Sequence, residues 1–423
     1  MSHTMASPER FVIHNARILT LAGPRGPRRV GGSLEKANGA SPTGRHADLL
    51  GIIPRGWVSF ADGRIEALGE GNPPPGESLD ACGRVLLPGF IDCHTHACWA
   101  GQRFDEADLR LAGVPYLEIL ASGGGIMSTV RSTRAATREA LTANLLKRLR
   151  AAVATGTTTI EVKSGYGLTP DDELKMLEAI RGAVEKTPLR VIPTFLGAHA
   201  KDDSNPHFVE ETIDVTLPRA VAAFPGIACD AYCERGAWSA EECTRLFTRA
   251  KSLGCPIRVH SDQFNCLGMI ETAIGLGARS VDHLEATQPA ELQLLARSDT
   301  IGVALPGCGF HLDNRFANAR GFLDAGGALA IATNCNPGSS PTISMPFIIA
   351  LAVRFLRLTP AEAIVAATIN AAHVLGLADQ VGSVEIGKQA DVQLLATDDE
   401  RTLAYEYANP GPEAVWMGGR RVI

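Results

Sequence analysis

The chain has 423 residues, of which 45% are hydrophobic and 20% are charged, and its formal net charge is −6. This composition is typical of a globular protein, and the length suits one large α/β domain and a smaller second one. The acidic balance argues against nucleic acids and anionic membranes as partners, and no apolar stretch is long enough to span a bilayer. The first residues lack the apolar segment of a signal peptide, so we expect a cytoplasmic location and reduced thiols for the ten cysteines.

Short strand-like patterns occur near both ends of the chain. They lie at residues 11–22, 56–69, 390–396 and 414–423. The Asp62-Gly63 pair within the second of them predicts a hairpin turn. Residues 23–50 are rich in Gly, Pro, Arg and Ser, which predicts a mobile surface loop. We therefore expect a small β-sandwich domain that is assembled from residues 1–85 and 376–423.

Strand-like and helical patterns alternate in the middle of the chain. The apolar strand-like runs lie at 85–92, 157–162, 190–196, 227–233, 256–260, 279–283, 301–305 and 328–333. Helical patterns separate several of them, at 137–154, 170–186, 239–253, 266–276 and 289–297. Eight strands that alternate with helices predict an α/β fold with a TIM-like (β/α)8 barrel over residues 86–375. A doubly wound open sheet is the alternative, but no Gly-rich dinucleotide turn follows the first strand.

Histidines stand at the ends of several predicted strands. His94 and His96 end the first run, and strand alternation directs both rings to the same face. Two neutral imidazoles from one strand end form half of a divalent metal site, although two polar residues can also simply close a strand. Further runs end in His199, His260 and His283. Because a barrel gathers its strand ends at one mouth, we predict a shared metal or acid–base site there.

Seven segments of the chain match one family of enzymes. They are Pro88–His96, Ala121–Val130, Glu161–Leu168, Thr194–His199, His260–Gln263, Val281–Glu285 and Asn336–Ser340. On these segments, the chain resembles the imidazolonepropionases of the amidohydrolase superfamily over nearly its whole length. The first segment is shared across the superfamily, whereas the Gly-Gly-Gly-Ile and Lys-Ser-Gly-Tyr-Gly sequences are particular to this family. The resemblance implies an amidohydrolase-type barrel that hydrolyses 4-imidazolone-5-propanoate to N-formimino-L-glutamate in histidine degradation.

The resemblance also implies the residues of the site. One Zn or Fe ion would be held by His94, His96, His260 and the residue at position 334. The substrate pocket would contain Arg103, Tyr116, Tyr166, His199, Asn336, Gly338 and Ser339. Gln263 would lie near the attacking water, and His283 would be catalytic. The implied partner is a small ring that carries a carboxylate, and a homodimer is a family expectation.

The residue types suit this chemistry. Hydrolysis of a ring amide needs an activated water, a polarised carbonyl and a proton for the departing nitrogen. A propanoate calls for a guanidinium, which Arg103 supplies unless it is an exposed loop charge. Tyr166 lies between Gly165 and Gly167, where its ring can stack on or hydrogen-bond a planar substrate; core packing is the alternative.

One position departs from the family pattern. The family has Asp at the end of the last barrel strand, in a Thr-Asp-x-Asn-Pro context, whereas this chain has Asn334. The family's carboxylate binds the metal and takes a proton from water. An amide is essentially non-basic and offers only a neutral carbonyl oxygen. We therefore expect weaker metal binding and a missing base at position 334.

Three interpretations of Asn334 stay open. It is a deliberate substitution that traps substrate, the mark of a paralogue acting on a related imidazolone or (thio)hydantoin ring, or the mark of a weakened or non-catalytic relative. Cys308 and Cys335 lie near the predicted mouth and indicate an unusual pocket. The leading hypothesis is a metal-dependent cyclic amidohydrolase. Its rivals are a heterocycle deaminase, which would release ammonia and keep the ring intact, and a catalytically silent ligand-binding protein.

Overall fold

The computed structural model describes residues 10–31, 42–114, 118, 123–407 and 411–423. Tyr116 and the first two residues of the segment 121–130 lie outside the described residues. Within the described part of the chain, no helix has both the length and the apolar character needed to cross a membrane.

Five strands and one helix precede the barrel. They are β1 (Phe11–Leu19), α1 (Pro42–Leu50), β2 (Ile52–Ala61), β3 (Arg64–Glu70), β4 (Glu77–Asp80) and β5 (Val85–Pro88). β1 pairs antiparallel with β2 and parallel with β4 and β5. β2 and β3 form the predicted hairpin, whose turn residues Asp62 and Gly63 have φ of 51° and 77°. Positive φ at both central residues is the geometry that the right-handed twist of a hairpin favours.

The prediction of a mobile loop at 23–50 is wrong for two described parts. Its last nine residues form α1. Arg29 is anchored to the barrel, because its Nη1 donates to the carbonyls of Ala296 and Gly326, both at 2.7 Å. Composition alone did not indicate these contacts, since the partners lie more than 260 residues away in sequence.

Eight parallel strands form the barrel. They are β6 (Phe90–Asp92), β7 (Thr157–Lys163), β8 (Arg190–Ala198), β9 (Ala228–Cys233), β10 (Arg258–Ser261), β11 (Ser280–His283), β12 (Ile301–Ala304) and β13 (Leu329–Ile331). Their order in the sheet is their order in the chain. Beyond β6 and β13, the Asn334 N–H donates to the His94 carbonyl and the His96 N–H to the Cys335 carbonyl, both at 3.0 Å. These bonds nearly close the sheet and confirm the predicted barrel.

The predicted strand at 85–92 is divided between two sheets. Val85–Pro88 pairs with the small sheet, and Phe90–Asp92 pairs with the barrel. Gly89 lies at the junction, where an added Cβ would come within 2.1 Å of the Thr158 side chain. Only glycine fits this close approach. The chain therefore passes from one sheet to the other without an intervening loop.

Helices follow most of the barrel strands. They are α2 (Phe104–Leu111), α3 (Ile126–Ala135), α4 (Arg138–Ala154), α5 (Pro170–Val184), α6 (Phe208–Glu211), a π-helical turn (Thr212–Thr216), α7 (Leu217–Ala223), α8 (Ala240–Ser252), α9 (Met269–Gly275), α10 (Pro289–Ala296), α11 (Pro306–His311), α12 (Ala319–Asp324), α13 (Met345–Phe355), α14 (Pro360–Ala366) and α15 (Ile369–Leu375). The five predicted helices correspond to α4, α5, α8, α9 and α10. Side-chain caps start several of them; Ser239 and Glu242, for example, form a capping box at α8.

The remaining elements complete the small sheet. They are β14 (Val392–Leu394), α16 (Thr402–Tyr405), β15 (Ala414–Met417) and β16 (Arg420–Arg421). The strands run in the order β16-β15-β14-β5-β1-β2-β3, with β4 beside β1, so both ends of the chain contribute to one mixed sheet. Its own buried cluster includes Ile13, Phe60, Leu86 and Trp416. Part of this sheet therefore has a core of its own, whereas Leu19, Val85, Leu87, Val415 and Met417 belong to the cluster that also contains the barrel residues.

Candidate metal and substrate site

A cavity of about 380 Å³ lies at the carboxyl ends of the barrel strands. Its lining includes these predicted site residues: His96, Arg103, Tyr166, His199, His260, Gln263, His283, Asn334, Asn336, Gly338 and Ser339. His94 is completely buried, and its ring centroid lies 4.4 Å from that of His260. The barrel therefore brings together residues that are spread over about 240 positions of the chain.

Carboxylates orient two of the histidines from behind. Nδ1 of His94 lies 2.6 Å from Oδ2 of Asp282, and Nδ1 of His260 lies 3.1 Å from Oδ1 of Asp230. A carboxylate at Nδ1 keeps the proton there and leaves Nε2 as the free lone pair, as in metal-binding histidines. Nε2 of His94 is buried and has no hydrogen-bond partner among the described residues. A buried nitrogen with a free lone pair is suited to bind a metal ion.

The spacing of the rings also fits a cation. Nε2 of His96 and Nε2 of His260 are 3.2 Å apart. Two imidazole nitrogens that share one tetrahedral zinc ion are about 3.3 Å apart, since each Zn–N bond is about 2.0–2.1 Å long. Burial lowers the pKa of His94, His96 and His260. The three rings are therefore neutral at neutral pH, which is the form that binds metals.

Asn334 lines the same cavity. Its backbone has the left-handed φ of 52°, three residues after the end of β13. Its Nδ2 donates to Sγ of Cys308 at 3.2 Å, whereas its Oδ1 is buried and has no partner among the described residues. The ligand atoms of His94, His260 and His283 lie within 4.8 Å of one another. The predicted set of His94, His96, His260 and Asn334 would offer three imidazole nitrogens and one neutral carbonyl oxygen, which would suit a divalent ion such as Zn or Fe but would neutralise none of its charge.

Five charged residues that sequence reasoning missed lie buried beneath the histidines. They are Glu161, Lys163, Asp230, Arg258 and Asp282. Nζ of Lys163 is 2.6 Å from Glu161 and 2.8 Å from Asp230, and Arg258 lies 3.2 Å from Glu161 and 2.7 Å from Asp282. Three carboxylates and two cations give a charge of −1, which partly offsets a cation above them. Their signal in the sequence is the placement of charges inside otherwise apolar strands.

Arg103 enters the cavity beside a glycine. Its Nε donates to Oγ1 of Thr129 at 2.9 Å, and its Nη1 is 3.9 Å from the Glu106 carboxylate, beyond hydrogen-bond distance. A Cβ on Gly338 would come within 2.5 Å of that Nη1, so the absence of a side chain at Gly338 leaves room for the guanidinium. The guanidinium keeps N–H groups for an incoming carboxylate.

Aromatic rings line another side of the cavity. The rings of His96 and His199 are stacked with centroids 4.6 Å apart, and Tyr166 lies 5.2 Å from His199. Nδ1 of His199 is 3.0 Å from the Gly165 carbonyl, which fixes the ring. Burial lowers the pKa of His199 to about 3 and raises the pKa of Tyr166. Both side chains are therefore neutral, and the Tyr166 hydroxyl is a hydrogen-bond donor.

His283 differs from the other histidines of the site, because its pKa is raised rather than lowered. Its Nδ1 lies 3.2 Å from Oε2 of Glu285, and its φ is 92°. Burial lowers the pKa of His283, but the Glu285 carboxylate and a hydrogen bond with Cys308 outweigh burial and raise the pKa to about 10. A raised pKa favours the ring form that can donate a proton rather than accept one.

Several contacts in the cavity were not predicted from the sequence. The Tyr232 hydroxyl donates to Oε1 of Gln263 at 2.8 Å; its position near the end of β9 was a usable signal. Oδ1 of Asn336 accepts hydrogen bonds from the N–H groups of Gly338 and Ser339, at 2.8 and 2.7 Å, and these bonds shape the turn. Other lining residues missed are Glu106, Arg110, Ile126, Phe264, Leu312 and Asp313.

Comparison with known proteins places this site in a family. The model of the Amidohydrolase family matches residues 85–422. The imidazolonepropionase of Herpetosiphon aurantiacus is 42% identical over 99% of this chain and 98% of its own length. That of Chloroflexus aggregans is 41% identical over 98% of this chain and 99% of its own length.

Solved structures share the fold at much lower identity. E. coli guanine deaminase has a TM-score of 0.71 at 16% identity and covers 98% of this chain and 99% of its own. An adenosine deaminase from Xanthomonas campestris with bound zinc has a TM-score of 0.66 at 17% identity, over 97% of this chain and 92% of its own. These likenesses concern the fold alone. The full-length similarity above is more specific: this chain belongs to the amidohydrolase family and, within it, to the imidazolonepropionases.

Proposed function

We propose that this chain hydrolyses the ring amide of 4-imidazolone-5-propanoate to N-formimino-L-glutamate, a step of histidine degradation. The observation that carries the proposal is one cavity that holds both a cluster of neutral histidines and the Arg103 guanidinium. Relatives about 40% identical over nearly the whole chain support it.

Arg103 and the aromatic rings position the substrate. The propanoate pairs with the guanidinium, which has N–H groups free of Thr129 and stands in the space left by Gly338. The planar ring lies beside Tyr166 and His199, whose neutral side chains stack on it or hydrogen-bond it. This placement directs the reacting carbonyl toward the histidine cluster.

His94, His96, His260 and Asn334 would hold one divalent ion, Zn or Fe. When bound, such an ion lowers the pKa of the attacking water and polarises the carbonyl. His283 holds a proton that it donates to the carbonyl oxygen or to the departing nitrogen. Asn334 cannot accept the proton that the water loses on attack, and Gln263 can only orient the water. That proton passes to solvent, and solvent returns a proton to His283 after His283 has donated its own. We therefore propose an active but slowed hydrolase, with a cytoplasmic location and a homodimeric state as further proposals.

Turnover of the purified protein tests this function. We expect one equivalent of metal and conversion of imidazolone propanoate to N-formimino-L-glutamate, identified by mass spectrometry. Release of ammonia with the ring intact would favour the deaminase, and turnover confined to a hydantoin or thiohydantoin would favour the paralogue. Binding of imidazolone propanoate without product, at high protein concentration and full metal loading, would overturn hydrolysis and favour the silent binder.

A further inference from the structure

Cys308 lies directly behind the site, in α11. It is 2% exposed and does not belong to the residues that line the cavity. Three side chains that do line the cavity converge on its sulfur. Sγ accepts from Nδ2 of Asn334 at 3.2 Å and from Nε2 of Gln263 at 3.5 Å, and it lies within 4.8 Å of a ring nitrogen of His283. This sulfur therefore contacts groups of the site without access to the substrate.

The backbone of Asn334 is fixed independently of that sulfur. Its N–H donates to the His94 carbonyl at 3.0 Å, and its own carbonyl accepts from Nδ2 of Asn336 at 2.6 Å. Both bonds hold the peptide units on either side of the residue in place. These bonds do not fix the rotation of the side-chain amide about its last torsion. The two ends of that amide are chemically different. One end is an acceptor oxygen, and the other is an NH₂ group that cannot bind a cation.

We propose that Cys308 is a positioning residue that holds the Asn334 amide with its oxygen, not its nitrogen, toward the metal site. An acceptor behind the residue selects the orientation in which Nδ2 points backward. Oδ1 is then the buried atom that lacks a partner among the described residues. The inference rests on the proposed metal site. The role of Cys308 explains how a neutral amide can present an oxygen to the metal site. A carboxylate would need no such orientation, because its two oxygens are equivalent.

Cys308 does not belong to the group of ligand atoms that contains His94 and His260. The ligand atoms of His94, His260 and His283 lie within 4.8 Å of one another, and Cys308 forms a separate group of this kind with His283 and Glu285. Nδ2 of Asn334 is the atom that contacts the sulfur. The thiol therefore acts through Asn334, and its removal should change the metal affinity by way of the amide orientation.

A double-mutant cycle on zinc affinity tests this role without reference to turnover. The proteins are the wild type, Cys308→Ala, Asn334→Asp and the double variant, each titrated with Zn²⁺ against a chromophoric chelator. We expect Cys308→Ala to weaken binding about three- to tenfold, because only part of the amide population then presents oxygen. In the Asn334→Asp background, the same change should weaken binding less than about twofold, since a carboxylate presents oxygen either way.

Matched variants separate orientation from packing. Cys308→Ser, whose hydroxyl can accept, should keep the wild-type affinity, whereas Cys308→Val, which cannot, should behave like alanine. Cys98→Ala removes an equally buried thiol, which contacts the Met176 carbonyl at 3.9 Å, and should leave the affinity unchanged. If the alanine variant does not fold, the serine and valine pair carries the comparison.

Each other outcome is decisive. Equal losses in the wild-type and Asn334→Asp backgrounds would mean that Cys308 acts through packing, and would overturn the inference. So would valine and serine variants with the same affinity as the wild type. A wild-type chain that binds neither Zn²⁺ nor Fe²⁺ would overturn the proposed metal site as well. Intact binding without the coupling would overturn the role of Cys308 alone.

Discussion

The barrel mouth and the small sheet differ in how two of their buried polar clusters are paired. At the mouth, Nε2 of His94 and Oδ1 of Asn334 are buried without a partner among the described residues. In the small sheet, the buried Glu400 carboxylate meets Arg17 at 2.8 Å and His46 at 2.6 Å. Unpaired buried groups cost stability and persist where function uses them, whereas paired groups stabilise the fold. Changes at the mouth should therefore alter activity, and changes in the sheet should alter stability.

The largest effect on activity is expected from a histidine of the mouth. His260→Ala removes a ring that Asp230 orients and that lies 3.2 Å from His96. We expect kcat/KM to fall by at least about a thousandfold and the bound metal to fall well below one equivalent. Turnover and elemental analysis check this. Full metal content in the variant would remove His260 from the ligand set.

The largest effect on stability is expected in the small sheet. Trp416 is 1% exposed in the cluster of that sheet, and Trp416→Ala should cost about 3–5 kcal/mol in the free energy of unfolding. Urea denaturation measures the loss. Activity per folded molecule should stay at the wild-type value, because Trp416 is not part of the cavity wall. A parallel fall in kcat would show that the two regions are coupled.

Asn334→Asp should raise the activity of the barrel mouth, in contrast to His260→Ala, which should lower it. A carboxylate at this position can bind the cation and take a proton from water, and a general base contributes about a hundredfold or more to the rate. We expect kcat to rise by about that factor and zinc to bind more tightly. Steady-state kinetics check the first and chelator competition the second. No gain in kcat at full metal loading would show that another residue already acts as the base.

Arg103→Ala should change substrate binding more than the chemistry. A lost charge-assisted bond of about 2 kcal/mol corresponds to a KM about thirtyfold higher for imidazolone propanoate. The matched control is a ring analogue without the carboxylate, whose kcat/KM should be almost the same for the wild type and the variant. An equal loss with that analogue would mean that Arg103 supports the pocket rather than binding the propanoate.

The smallest effect is expected from the Glu400 contacts. Burial raises the pKa of Glu400, but the hydrogen bonds from His46 and Arg17 outweigh it and lower the pKa to about 2. A lowered pKa stabilises the fold above the unfolded value, near 4.5, and the gain disappears as the pH falls toward 2. Glu400→Gln should cost about 2 kcal/mol at pH 7 and much less at pH 3. Urea melts at both pH values measure this difference.

The sequence predicted the barrel well because its strands are buried on both faces. The run predicted at 301–305 is observed at Ile301–Ala304, and that at 157–162 at Thr157–Lys163. The continuous apolar run Ile301–Ala304 is the direct signal of a buried parallel strand, whereas Thr157–Lys163 is rich in β-branched residues. Histidines at strand ends likewise predicted the position of the cluster, because parallel strands bring their carboxyl ends to one mouth.

Other features depend on contacts that no local pattern contains. The division of 85–92 at Gly89 follows from the approach of Thr158, which lies in the neighbouring strand. The acceptor role of Cys308 follows from the orientation of Asn334, 26 residues away. The sequence indicated that Cys308 is unusual near this pocket, but it did not predict the hydrogen bond between its sulfur and the Asn334 amide. Pairing between distant side chains is the part of the site that sequence reasoning could not reach.

The bonds that nearly close the barrel also fix when the site can form. Oδ1 of Asp92 accepts from the Thr333 N–H at 3.0 Å, across 241 residues of sequence, and the ligands proposed for the cation stand on both sides of this seam. During synthesis, His94 and His96 emerge long before Asn334. A partly made chain therefore has no complete site with which to capture a metal ion. The ion can therefore be bound by the complete site only after the last barrel strand has been made. Metal binding would then indicate that the whole barrel has folded.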